Sequence, residues 1–199
     1  MNPENIKAIL FDIDGIVITG RKHFFSYRLA REHGIPEKDV EEFFKNDFRE
    51  CSFGRADLKE KIAPYLIKWG WKGSVDDLLK YWFESESTTD REVLRIISEL
   101  RSRGVKCYMA SRQEKYRLQY ILDVIGLKND FDGIFSTCDI GYDKWQPEFF
   151  EYIFNKLSLQ PKEIMFFDDG EQNIETASKL GISSYLYENV DTLKNLVNI

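Results

Sequence analysis

The chain has 199 residues, of which 43% are hydrophobic and 31% charged, a balance that excludes disorder and allows one ordinary core plus an insertion. Its formal charge of -6 argues against a nucleic-acid surface, because binding a phosphate backbone requires a basic face. No run approaches about 18 uncharged apolar residues, so no membrane-spanning helix is expected, and Met1 to Lys7 lacks the basic start and apolar stretch of a secretion signal.

The first element is an apolar run, Ala8 to Phe11, that ends in Asp12-Ile13-Asp14-Gly15. A short buried-type run bounded by acids and glycine reads as a strand of a parallel sheet, covered on both faces. Ile16 to Thr19 follows as a short extended piece. From about Arg21 to Ser87 the texture becomes helical and aromatic. Leu58, Ile62, Tyr65, Leu66 and Trp69 recur at i, i+4, i+7, i+8 and i+11, one face of a helix. Gly34-Ile35-Pro36 and Trp69 to Gly73 mark turns, so three or four packed helices are expected. The block's aromatics, Phe24, Phe25, Tyr27, Phe43, Phe44, Phe48, Trp69, Trp71, Tyr81 and Trp82, are read mainly as its own core.

Past Ser87 a strand-helix rhythm returns. Thr89-Asp90 offers caps for a helix carrying Val93, Ile97 and Leu100, which Gly104 stops. Val105 to Ala110 is the next strand and ends at Ser111. Leu118, Ile121, Leu122 and Ile125 define a helix closed by Gly126. Gly133 to Thr137 is strand-like and Pro147 to Leu157 helical. A strand from Ile164 to Phe167 ends in Asp168-Asp169, a helix runs from Glu171 to Leu180, a strand from Ser183 to Tyr187, and a last helix follows. This alternation implies an α/β fold with a parallel sheet covered on both faces. Residues 1 to 19 and 88 to 199 are expected to form it, with 20 to 87 inserted as a helical cap.

Ligands of such sheets bind beyond the carboxyl ends of the strands. Asp12, Asp14, Ser111, Asp168 and Asp169 all fall there, and the loop carrying Lys144 should return to the same edge. Four carboxylates at one edge are costly unless a cation holds them. The three cysteines, Cys51, Cys107 and Cys138, are widely spaced without a Cys-x-x-Cys pair, which disfavours disulfides and zinc and makes a reducing cytoplasm the expected compartment. The two histidines, His23 and His33, lie near no nucleophile elbow, so a Ser-His-Asp triad is disfavoured.

Asp12-Ile13-Asp14-Gly15, Ser111 after a strand, Lys144 three residues before Pro147, and Asp168-Asp169 ahead of Asn173 resemble the four ordered motifs of the haloacid dehalogenase (HAD) superfamily. The insertion lies between the first two motifs, as in that family's C1-capped members, and the segment from Phe166 to Gly181 is similar to sugar-phosphate phosphatases of the glucose-1-phosphatase type. The resemblance implies a Rossmann-like core and a Mg2+-dependent phosphatase for a small phosphorylated metabolite. Asp12 would be the nucleophile, forming an aspartyl-phosphate, and Asp14 the proton carrier. Mg2+ would be held by the Asp12 side chain, the Asp14 backbone carbonyl and Asp169, with Asp168 in support. Ser111 and Lys144 would bind the phosphoryl oxygens.

Charge counting adds a further expectation. Four carboxylates and a bound monoester outweigh one Mg2+ and Lys144, so one carboxyl should titrate high, and Asp14 is the useful one to keep protonated. Three positions depart from the family pattern: Ile16, Trp145 after the motif lysine, and Arg112, where a solvated or ion-paired role stands beside contact with an anionic substrate. Gly54 and Arg55, in Cys51 to Arg55, form the candidate substrate loop, with a plain interhelical turn as the other reading. The second acid, Asp14, favours a phosphatase over a dehalogenase, since halide leaves without a proton. The alternatives are a phosphomutase of the β-phosphoglucomutase type and, in another class, a non-catalytic phospho-ligand-binding or signalling protein. No nucleic-acid, membrane or protein partner is expected.

Overall fold

The computed structural model describes residues 6 to 19 and 25 to 199. Arg21, His23 and Phe24, at the expected start of the insertion, lie outside the described residues. Strand β1 (Ala8–Phe11) is followed by five helices, α1 (Phe25–His33), α2 (Glu37–Asn46), α3 (Phe48–Ser52), α4 (Leu58–Trp69) and α5 (Val75–Ser85). Then come α6 (Arg91–Ser102), β2 (Lys106–Ser111), α7 (Lys115–Asp123), β3 (Gly133–Ser136), α8 (Thr137–Ile140) and α9 (Pro147–Leu157). The chain closes with β4 (Ile164–Asp168), α10 (Glu171–Lys179), β5 (Ser183–Leu186) and α11 (Val190–Val197).

The strands pair in parallel in the order β3-β2-β1-β4-β5. Alternation along them builds two apolar layers. Ile9, Phe11, Cys107, Met109 and Phe167 pack with Val93 and Ile97 of α6 and Ile121 of α7. Ala8, Leu10, Ala110 and Phe166 pack with Phe149, Phe150 and Ile153 of α9 and Ala177 of α10. Both faces are therefore covered, as an α/β sheet requires.

Helices α1 to α5 have an apolar cluster of their own, including Leu29, Val40, Phe43, Leu58, Ile62, Trp69, Leu78 and Trp82. The aromatic residues serve mainly this cluster: Phe25 stacks on Trp82 at 5.1 Å and Phe43 meets Trp69 edge-on at 6.1 Å. The block holds five helices among the described residues, against the three or four expected. The chain breaks at Asp47, which ends α2 and opens α3, and whose carboxylate accepts from Tyr65 Oη at 2.7 Å and Lys61 Nζ at 3.3 Å. Thr137, expected to end a strand, instead begins α8, whose last turn closes on Gly141 at φ +83.

The block leaves and rejoins the sheet through a short paired stem. Ile18 bridges Thr89 in antiparallel fashion, Thr19 N donates to Thr88 O at 2.8 Å, and Asp90 N donates to Val17 O at 2.8 Å. Side chains then fasten it to α7. Asp57 caps α4 through Lys59 N at 2.8 Å and also accepts from Lys115 Nζ at 2.6 Å and Tyr116 Oη at 2.8 Å. Buried Arg117 donates to the carbonyls of Phe83, at 2.9 Å, and Glu86, at the end of α5. Among the described residues, no helix is long and apolar enough to cross a membrane.

Candidate active site

Adjacent strands β1 and β4 set the centre of the site. Phe11 pairs with Phe167, and Asp12 N donates to Phe167 O at 2.9 Å, so the acids that follow these two strands emerge side by side. Oxygens of Asp12, Asp168 and Asp169 lie within 4.8 Å of one another. Asp12 is 6% exposed and Asp168 fully buried. Buried Lys144 stands between them, its Nζ 2.7 Å from Asp12 Oδ2 and 2.6 Å from Asp168 Oδ2. The remaining oxygens of both acids are also held. Asp12 Oδ1 accepts from Ile13 N at 2.7 Å, and Asp168 Oδ1 accepts from Gly170 N and Asn173 Nδ2, each at 2.8 Å. Asp169 is exposed and lies over Gly15, where a Cβ would come 2.1 Å from its Oδ2.

Burial dominates the electrostatics. It pushes the Asp12 carboxyl up to about 7, with Lys144 opposing and Asp168 and Asp14 adding repulsion. Burial also works against the Lys144 ammonium, yet Asp12 and Asp168 together hold its proton above the usual lysine range. Three clustered carboxylates face a single ammonium, and every donor is oxygen, a set that fits a hard divalent cation such as Mg2+.

The other expected residues fall at different depths. Asp14 is half-buried and its Oδ2 accepts from Gln113 Nε2 at 2.6 Å. Ser111 ends β2 as expected but is 1% exposed, and its Oγ accepts from the same Gln113 nitrogen at 3.3 Å. Arg112 lines the opening and is ion-paired: its Nε lies 3.1 Å from Asp143 Oδ1 and its Nη2 2.6 Å from Asp143 Oδ2. Asp143 also accepts from Lys144 N at 2.8 Å, so one buried acid holds both the Arg112 guanidinium and the backbone of Lys144. The loop that carries Trp145 is tied to α10, with Thr176 Oγ1 donating to Trp145 O at 3.1 Å.

Gly54 and Arg55 are not brought together with these residues. Neither lines the cavity. Gly54, at φ +68, packs so closely on α8 that a Cβ would lie 2.2 Å from the Cys138 carbonyl oxygen. Arg55 Nη2 donates to Gly141 O at 3.2 Å, and Thr137 Oγ1 donates to Ser52 O at 2.7 Å. The glycine turn fastens the helical block to α8 and the residue that caps it.

A cavity of about 590 Å3 opens above the acids. Its floor includes Asp12, Asp14, Gln113, Lys144 and Asp169, and its far wall Phe25, Phe44, Phe48 and Trp82 of the helical block. Glu86 is buried at the junction, accepting from Phe25 N at 3.0 Å and Trp82 Nε1 at 3.2 Å. Sequence reasoning missed Gln113, Asp143, Glu86 and Arg117. Gln113 had one available signal, because it follows Ser111 by the same two-residue step that separates Asp14 from Asp12.

The profile of the haloacid dehalogenase-like hydrolases matches residues 6 to 181. Among curated proteins, the pig bifunctional epoxide hydrolase 2 is 22% identical over 94% of this chain, which spans 37% of that protein's length. A phosphorylated carbohydrates phosphatase from Thermotoga maritima is 21% identical, with 89% of this chain and 82% of the relative covered. Among solved structures, a HAD family enzyme from Bacteroides thetaiotaomicron in complex with magnesium and inorganic phosphate superposes with a TM-score of 0.79 at 21% identity, covering 92% of this chain and 94% of the other. The extent of the profile match, over β1 to β4 and the acids at their ends, decides the matter: the chain belongs to the haloacid dehalogenase-like hydrolase family.

Proposed function

We propose that this protein is a Mg2+-dependent phosphatase for a small phosphorylated metabolite such as a sugar phosphate. The observation that carries the reading is the convergence of Asp12, Lys144 and Asp169, with buried Asp168 behind them, at a cavity that Asp14 also lines. The phosphate and magnesium bound by the Bacteroides enzyme and the name of the Thermotoga relative support it. Residues 20 to 87 act in this reading as a cap that excludes water from the reacting groups.

Phosphate monoesters hydrolyse very slowly, so nucleophile, charge neutralisation and proton transfer must act together. An Asp12 oxygen attacks phosphorus, the ester bond breaks, and Asp14 gives its proton to the departing oxygen. In the second displacement Asp14 takes a proton from water, which attacks the aspartyl-phosphate and returns Asp12 to its carboxylate form. Lys144 and the Ser111 hydroxyl contribute to holding the phosphoryl oxygens. The Asp12 side chain, the Asp14 backbone carbonyl and Asp169 would hold Mg2+, with Asp168 in support. When bound, the ion supplies positive charge to the transferring group and offsets the repulsion among the acids.

The test is Asp12→Asn assayed on p-nitrophenyl phosphate. Turnover should vanish while the circular dichroism and unfolding midpoint stay close to those of the parent chain, and full activity in the variant would sink the mechanism. Release of inorganic phosphate from a hexose 1-phosphate is the expected product pattern. Formation of hexose 6-phosphate without release would replace the phosphatase with a phosphomutase.

A further inference from the structure

Gln113 stands where two of the proposed roles meet. It lines the cavity while only 4% exposed. Its Nε2 donates to Asp14 Oδ2 at 2.6 Å and to Ser111 Oγ at 3.3 Å, so the amide ties the end of β2 to the loop that follows β1. The residue is itself fixed from both sides. Its carbonyl accepts from Ser136 Oγ at 3.2 Å, and the next residue, Glu114, caps α7 by accepting from Tyr116 N at 2.9 Å and from Arg117 N.

We propose that Gln113 is a positioning residue for the acid chemistry of Asp14, an assignment that rests on the phosphatase reading above. A carboxylic acid carries one proton on one of two oxygens, and an amide N-H can only donate. The oxygen that faces Gln113 is thereby kept as an acceptor, which fixes the angle of the whole carboxyl. As the ester bond breaks, the Asp14 proton passes to the leaving oxygen while an Asp12 oxygen forms the new bond to phosphorus. Without the amide, the carboxyl is no longer held at one angle. An orientation error of this kind is costly in proton transfer, where reach and alignment are decisive.

General-acid help matters in proportion to the basicity of the leaving oxygen. Phenolate leaves poorly without a proton, whereas 2,4-dinitrophenolate leaves unaided. The experiment therefore compares kcat/KM for phenyl phosphate and 2,4-dinitrophenyl phosphate, with Mg2+, in the parent chain, Gln113→Met and Gln113→Glu. Gln113→Met withdraws the donor outright, and Gln113→Glu, which retains the side chain's shape should the methionine variant fail to fold, replaces it with a carboxyl that repels the Asp14 carboxylate. The loss should be about tenfold or more greater on phenyl phosphate than on the dinitrophenyl ester. An equal loss on the two esters assigns Gln113 a merely structural role, and no loss on either removes it from the reaction; both results overturn the proposal. A parent chain that hydrolyses neither ester removes the phosphatase reading and this proposal together, a failure visible before any variant is compared.

Discussion

Gly15 shows how much of the site depends on one missing atom. At φ +88 it occupies backbone space that costs an L-residue about 1 kcal/mol, and a Cβ there would lie 2.1 Å from Asp169 Oδ2. Gly15→Ala should therefore displace the most exposed of the three clustered acids while leaving Asp12 and Asp168 in their bonds to Lys144. The expected result is Mg2+ binding weaker by about tenfold, or about 1.4 kcal/mol, read by calorimetric titration of the metal. Unchanged affinity would remove Asp169 from the metal site. The acids and Lys144 were legible in the sequence because each follows a strand or lies in a loop that topology returns to one edge. Gln113 and Asp143 were not, since an amide that meets a carboxylate 99 positions away leaves no periodic trace. The burial that raises Asp12 likewise depends on the helices that cover it, which no local pattern reports.

Among the elements, α7 does more than cover the sheet. Its first turns receive the helical block through Asp57 and through Arg117, whose guanidinium reaches the last carbonyls of α5, where a cation also complements the helix dipole. Arg117→Met keeps much of the apolar stem but leaves two buried acceptors without these donors. The variant should lose about 2 to 4 kcal/mol of stability in urea unfolding, and a change below about 0.5 kcal/mol would show that water replaces the guanidinium. The strand-helix rhythm gave most element limits correctly, as α9 at Pro147–Leu157 shows, because each long element repeats its apolar period several times. The four-residue helix α8 was hidden because one turn has no period to detect. The split between α2 and α3 was hidden for another reason: the Asp47 bonds that hold it come from α4, 14 and 18 positions away.

At the scale of the whole molecule, two apolar bodies meet over an acid-lined cavity, and their charge balance should govern behaviour without metal. Chelation with EDTA should abolish turnover and lower the thermal midpoint, and Mg2+ should restore both. Restoration of activity by Zn2+ to the same level would contradict an all-oxygen site selected for a hard cation. The paired stem at Ile18 and Thr89 bears on ancestry. Two chain ends held one hydrogen bond apart make everything between them an exchangeable part, since a different insertion grafted there would close its loop without disturbing the strand order. A different block on this stem would change the far wall of the cavity while the acids at the strand ends keep their places. Novelty in such a chain enters through a joint two residues wide.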